Sequence, residues 1–301
     1  MTERDFLLEK YGERKETYRE KNKAFYENPA IARIEPFKIA DGLYYVGDKK
    51  VCIHLLDTGD GLILFDSGYL GAAYLLIDSI WRAGFDPQNV RWIIHTHGHN
   101  DHFGASDAFR TMYGTKLAIS KVDAEKLRRS SRTPIDTQSF PYAKVPAFDY
   151  EIEDGEVFVL GNKKIRCVPT PGHTMGVLSF FFDVTENGKT YRAGLYGGAG
   201  TNAMTLPNIC YNDDPEDMPL YMLRSIEKVW NEKVEIHLGN HPYNNHTLEK
   251  REKQLRDGGN PFIDSNSWHD FLSALKVKTE EIMKENAALK KEMAKTCDAD
   301  F

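Results

Sequence analysis

His95-Thr96-His97-Gly98-His99-Asn100-Asp101-His102-Phe103-Gly104 follows directly on the apolar run Arg91-Trp92-Ile93-Ile94. A buried strand that opens into such a loop places His97, His99, Asp101 and His102 within six positions. Imidazole and carboxylate are ligands that zinc favours, and the glycines allow the tight turns that let them converge. A lone histidine is ordinarily a core or surface residue. Four ligand-type side chains on one strand-to-helix loop read instead as a metal site. His95 ends the strand and points the other way by alternation, so it is expected to be structural, a donor behind the site.

Two isolated histidines have surroundings that suit completion of this site. His173 lies in Thr170-Pro171-Gly172-His173-Thr174, a tight turn between two strand-like runs. His241 lies in Gly239-Asn240-His241-Pro242, after the run Val234–Leu238. Both follow strand ends, where binding residues collect. His54 and His237 fall inside strand patterns and read as packed residues, whereas His246 and His269 start helices and read as surface residues.

The rest of the chain alternates short strands with helices. Strands are expected at 36–39, 43–47, 51–57, 62–66, 91–95, 117–120, 156–160, 164–170, 176–184, 189–196 and 234–238. Asn187-Gly188 is a type I′ hairpin signal between two of them. Helices are expected at 71–83, 104–113, 215–230 and 246–257. The pattern is mixed α/β with at least one largely antiparallel sheet. Residues 3–27 read as a polar helix with Tyr11, Tyr18 and Phe25 seven apart on one face, packed on its own chain or reaching to another subunit. Residues 268–296 read as a long helix with a seam of Leu272, Leu275, Thr279, Ile282, Asn286, Leu289 and Met293. Such a seam suits either a short coiled coil, and through it a homodimer, or packing along the helix's own domain.

Composition narrows the class. The 301 residues are 41% hydrophobic and 28% charged, enough for a large core and far from a disordered chain. A net charge of −6, with no basic block interleaved with aromatics, gives no reason to expect nucleic acid. No apolar run approaches the ~20 residues a membrane span needs. The charged N-terminus lacks a signal peptide's apolar stretch, so the expectation is a cytoplasmic protein. Cys52, Cys167, Cys210 and Cys297 follow no disulfide or metal spacing.

The pattern His97-x-His99-x-Asp101-His102, then Pro171-Gly172-His173-Thr174 and a late His241, resembles the metallo-β-lactamase superfamily, over residues 36 to 270 or so. Phe65-Asp66-Ser67-Gly68 matches the family's Asp-Thr/Ser-Gly turn, which implies that Asp66 supports the metal site from behind its ligands. Pro36–Ile39, Leu43–Gly47, His241-Pro242, Leu248–Arg251 and Gly258–Asp264 sharpen the resemblance towards the third (B3) subclass of metallo-β-lactamases. It implies a four-layer αββα sandwich over 31–270, with an N-terminal helical extension over 1–30 and a C-terminal helix over 271–301. By carry-over, His97, His99 and His173 hold one zinc ion, and Asp101, His102 and His241 hold a second. Tyr196-Gly197-Gly198-Ala199-Gly200 stands where most of the superfamily has an Asp or Cys ligand. The third subclass also lacks that ligand, so two metals are expected, the second held more weakly. An imidazole-rich set suits zinc better than iron.

The implied chemistry is hydrolysis of a small molecule. Two metals acidify a shared water towards a pKa of about 7, and the hydroxide attacks the carbonyl of a cyclic amide such as a β-lactam. Asp101 is expected to be catalytic, ligating the second metal and orienting the hydroxide. No Gly-x-Ser-x-Gly elbow supplies a competing nucleophile. Lactones and thioesters are alternatives on the same fold. A phosphodiesterase would want a bridging carboxylate and a basic groove, and neither is evident. A non-catalytic metal-binding protein is the reading from a different class, against which the intact ligand set argues. Gly197 to Gly200 are expected to form a mobile loop beside the site, with Tyr196, Asn202, Tyr243 and Asn244 as substrate contacts or ordinary loop residues.

Overall fold

A computed structural model of the chain describes residues 2–129 and 145–298. Its first half runs α1 (Glu3–Glu27), β1 (Phe37–Ala40), β2 (Leu43–Tyr45), β3 (His54–Asp57), β4 (Leu62–Phe65), α2 (Ala73–Arg82), β5 (Val90–Ile94), α3 (Asn100–Phe103), α4 (Ser106–Tyr113), β6 (Lys116–Ser120) and α5 (Lys121–Arg129). The second half runs β7 (Tyr150–Ile152), β8 (Val157–Leu160), β9 (Lys163–Pro169), β10 (Leu178–Glu186), β11 (Lys189–Leu195), α6 (Leu206–Asn212), α7 (Met218–Val229), β12 (Ile236–Leu238), α8 (Thr247–Asp257) and α9 (Ser267–Asp298). The strands form two sheets, one in the order β1 to β7 and the other β12-β11-β10-β9-β8.

Alternation along the strands explains why the sheets stack. In β10, Phe180, Phe182 and Val184 join Phe65, Ile94, Leu195 and Ile236 in the apolar layer between the sheets. Phe181, one step out of phase, faces away and packs with Met222, Trp268 and Leu272 under α7 and α9. On the other outer face, Leu55, Leu64 and Ile93 meet Leu76 and Ile80 of α2 and Phe109 of α4. Helices, sheet, sheet and helices thus make four layers, the αββα sandwich that the sequence resemblance implies. At the hairpin between β10 and β11, Asn187 and Gly188 both have positive φ, as a type I′ turn requires.

The terminal helices lie on their own chain. Thr2 and Asp5 form a capping box at the start of α1, Phe6 and Phe25 are buried, and Tyr11 stacks on Tyr211 of α6 with ring centroids 3.9 Å apart. The side chain of Tyr18, the middle residue of that stripe, lies outside the described residues. On α9, Leu272, Leu275, Thr279, Ile282, Asn286 and Met293 are buried. Their face is covered within the chain by α7, by a 3-10 turn at Thr201–Met204 and by α1. Asn286 accepts from Leu206 N at 3.0 Å and donates to Met204 O at 2.9 Å, so a polar seam position caps the start of α6. α5, α6 and β7 escape the sequence reading. α5 is charged at most of its nine positions and so reads as solvated, and α6 is a seven-residue helix with Pro in its first turn, too short for a clear apolar period. Among the described residues, no helix is long and apolar enough to cross a membrane.

Candidate metal centre

β4, β5, β6, β11 and β12 all end on one side of the sandwich, and the turn between β9 and β10 reaches the same side. Loops at these ends bring together all six residues expected to be ligands. His97, His99 and His173 form one cluster and Asp101, His102 and His241 another, with the ligand atoms of each within 4.8 Å of one another. His97 Nε2 lies 3.1 Å from His99 Nδ1, which lies 2.9 Å from His173 Nε2. In the second cluster, Asp101 Oδ2 lies 3.4 Å from His102 Nε2 and 3.6 Å from His241 Nε2.

The opposite ring nitrogens show which way each imidazole is protonated. His97 Nδ1–H donates to Gly197 O at 3.0 Å, and His173 Nδ1–H donates to Gly200 O at 2.6 Å. His241 Nδ1–H donates to Lys50 O at 2.7 Å, and His102 Nδ1–H donates to Asp66 Oδ2 at 2.7 Å. Carbonyl and carboxylate oxygens only accept, so each of these four histidines turns its Nε2 towards the centre, a lone pair wherever the ring is neutral. Converging lone pairs repel unless a cation sits among them. Nitrogens around a tetrahedral zinc stand roughly 3.3 Å apart, given bonds of about 2.0–2.1 Å. His102 Nε2 is buried with no hydrogen-bond partner, the mark of an atom made for a ligand the protein itself does not supply. The residues present fit a pair of metal ions.

Electrostatics divide the clusters. Burial lowers the pKa of His97 and His173, and that of His99 to about 4, so the first cluster is neutral and ready to ligate. In the second, burial works against charge on His102, but Asp101 and Asp66 outweigh it and raise its pKa. Burial would raise Asp101, and the adjacent His102, His241 and His99 more than reverse this, keeping it ionised. Asp101 and His102 thus form a charge pair in which a metal ion would displace a proton.

Asp66 occupies the position expected for it. It has φ of 66°, a costly backbone conformation for a non-glycine residue, held by three hydrogen bonds. Thr96 N and Thr96 Oγ1 donate to its carboxylate at 2.7 and 2.8 Å, and His102 Nδ1 does so at 2.7 Å. His95 is structural: its ring nitrogens lie 2.7 Å from Ala118 O and from Ser106 Oγ. His54 and His237 are buried in the body and His246 and His269 are exposed, as their strand and helix positions suggest.

Two expectations need correction. Gly197 to Gly200 are tied rather than loose: Gly197 O accepts from His97 and from Asn240 Nδ2 at 2.7 Å, and Gly200 O accepts from His173. A side chain has no room there, because a Cβ on Gly200 would lie 2.8 Å from His173 Cε1 and one on Gly198 3.1 Å from His173 Cβ. The loop meets the two imidazoles with backbone carbonyls and offers no ligating side chain. Tyr196 is no substrate contact. It is 1% exposed, with its hydroxyl 3.1 Å from Met222 Sδ, because strand alternation from Leu195 turns it into the helix layer. Tyr243 does lie at the site, its ring stacked on His241, and Asn244 Oδ1 accepts from His241 N at 2.9 Å.

Asp123 on α5 was not legible from sequence. Its buried carboxylate accepts from Gly98 N at 2.7 Å, Gly176 N at 3.0 Å and Thr174 Oγ1 at 2.8 Å. One side chain therefore ties the loop of His97 and His99 to the turn of His173.

Comparison with known proteins agrees with this geometry. Residues 47–185 match the family model of the metallo-beta-lactamase superfamily. A hydroxyacylglutathione hydrolase of Mesorhizobium japonicum is 33% identical over 111 residues, which are 37% of this chain and 35% of that protein. An N-acyl homoserine lactonase of a Bacillus species is 25% identical over 167 residues, 47% of this chain and 61% of that protein. The chain thus spans about a third to three fifths of these two relatives' length. The crystal structure of BJP-1, a subclass B3 metallo-beta-lactamase of Bradyrhizobium japonicum, superposes with a TM-score of 0.76 at 22% identity, covering 86% of this chain and 97% of that one. At that identity the likeness is one of fold.

Proposed function

We propose that this chain, which belongs to the metallo-β-lactamase superfamily, is a zinc-dependent hydrolase that cleaves the C–N bond of a small cyclic amide such as a β-lactam by attack of water at its carbonyl carbon. The observation that carries this reading is the pair of clusters in which His97, His102, His173 and His241 each have the outward nitrogen occupied while the inward ligand atoms converge. Bound there, two zinc ions would supply Lewis acidity and a water acidic enough to attack at neutral pH. The protein's own groups do the rest. Asp101, ionised and between His102 and His241, would help hold the second metal ion and accept a hydrogen bond from the attacking water, which fixes the direction of its lone pair. Asp66 and the carbonyls of Gly197, Gly200 and Lys50 hold the imidazoles in one orientation, so little reorganisation accompanies the build-up of negative charge on the carbonyl oxygen. Tyr243, 64% exposed beside His241, lines the approach to the carbonyl.

A second reading, hydrolysis of a lactone or a thioester, draws support from the printed activities of the sequence relatives, a homoserine lactonase and a hydroxyacylglutathione hydrolase. One experiment separates the readings. Zinc-loaded protein is assayed with nitrocefin, an acyl homoserine lactone and an acyl thioester, alongside Asp101→Ala. Turnover of nitrocefin, lowered about 100-fold or more in the variant, is expected. Turnover of the lactone or thioester alone moves the assignment to the second reading. Full activity of Asp101→Ala contradicts the role given to that carboxylate.

A further inference from the structure

α1 meets the supports of both ligand clusters, one at each of its ends. At its C-terminal end, Phe25 is buried with Val51, Tyr69 and Ala72, and Asn22 Oδ1 accepts from Lys50 Nζ at 3.1 Å. The carbonyl of that same Lys50 holds His241, and Tyr69 follows directly on the turn of Asp66 to Gly68. At its N-terminal end the helix lies on α6, where Tyr11 stacks on Tyr211 and Arg4 pairs with Asp213 at 3.2 Å. Asn208 of α6 donates to Asn202 O at 2.9 Å, just beyond the Gly200 carbonyl that holds His173. One helix thus rests on the support of His241 at one end and on that of His173 at the other.

Eleven residues separate Tyr11 from Asn22, a rise of about 16 Å along the helix axis. Over this span Gly12 to Arg14, Glu16, Thr17, Glu20 and Lys21 are exposed. Tyr11, Lys15 and Asn22 share the remaining face, and each is half-buried. A helical stretch of this length is marginal by itself in water, so its order depends on the two ends that fix it. The ends stand on opposite sides of the paired clusters, and the span between them is long enough to cross the opening.

We propose that α1 is a fixed strap across the entrance to the metal centre and selects substrates by bulk. A flat or flexible group passes beneath residues 12–21, and a rigid bulky one does not. The proposal rests on the clusters holding metal ions, and it is independent of which carbonyl compound is cleaved.

Two measurements on the full-length protein test it. Cobalt(II) in place of zinc shifts the amide resonances of residues near the ion, and those of Gly12 to Lys21 are expected to move together with those of the ligand loops. Shifts in the loops with none in Gly12 to Lys21 overturn the strap. Shifts in neither show that the metal reading has failed, and the strap falls with it. The second measurement compares dipicolinate with its 4-adamantyl derivative, which keeps the same donors and adds a rigid cage. The rate of zinc removal, taken as the slope against chelator concentration, is expected to favour the small chelator by about 10-fold or more in wild type. Tyr211→Ala and Arg4→Ala/Tyr11→Ala loosen the α6 end from either side, and in both the preference is expected to fall below about 3-fold. Equal rates for the two chelators in wild type overturn the proposal. So does a preference unmoved in variants that keep wild-type circular dichroism and zinc content.

Discussion

Asp66 shows how one carboxylate can serve both chain and site. A left-handed backbone at a non-glycine residue costs about 1–3 kcal/mol, and here three hydrogen bonds offset it. The same oxygen that receives Thr96 Oγ1 fixes His102 with its Nε2 facing inwards. Asp66→Ala is therefore expected to weaken the second metal ion by about 10–100-fold while leaving the first nearly intact. Asp66→Asn, which tolerates the backbone and retains an acceptor for Thr96 N, is expected to lose less. Zinc affinity measured by competition with a chromophoric chelator checks both, and equal loss at the two sites would count against this division of labour. Asp123 acts in parallel on the first cluster, through the backbone of Gly98 and Gly176.

At the scale of elements, α9 combines a hydrophobic seam with polar positions that only tertiary structure explains. Thr279 Oγ1 donates to Leu275 O within the helix, whereas Asn286 reaches across to cap α6 and close the turn at Met204. Both partners are buried backbone groups, so Asn286→Ala leaves a donor and an acceptor unsatisfied. A loss of about 1–3 kcal/mol is expected in urea unfolding, against almost none for the exposed Glu285→Ala on the same helix. A heptad-like seam with Asn and Thr in it reads in sequence as a register device for a second helix. In the folded chain it answers to α6 and α7 instead.

For the whole molecule, the sandwich and the convergence of the six proposed ligands were legible because their signals are local. His97 to His102 crowd into one loop, Asn187-Gly188 names its own turn, and alternation in β10 separates Phe181 from Phe180 and Phe182. What orients the ligands was harder to read. The carbonyls of Lys50, Gly197 and Gly200 have no side-chain signature, and Asp123 sits in a charged helix that looks solvated until it is packed. Tyr196, open in sequence between substrate contact and ordinary residue, is decided by strand alternation carried one residue past Leu195, which turns it into the helix layer. All these parts converge on the claim that two separate clusters each hold a metal ion. Zinc stoichiometry on purified, zinc-equilibrated protein, with His173→Ala and His241→Ala beside it, tests that claim most directly. Two equivalents in wild type and about one in each variant are expected, each variant emptying only its own cluster. A single equivalent in wild type that both variants abolish would contradict it, because the six residues would then form one site.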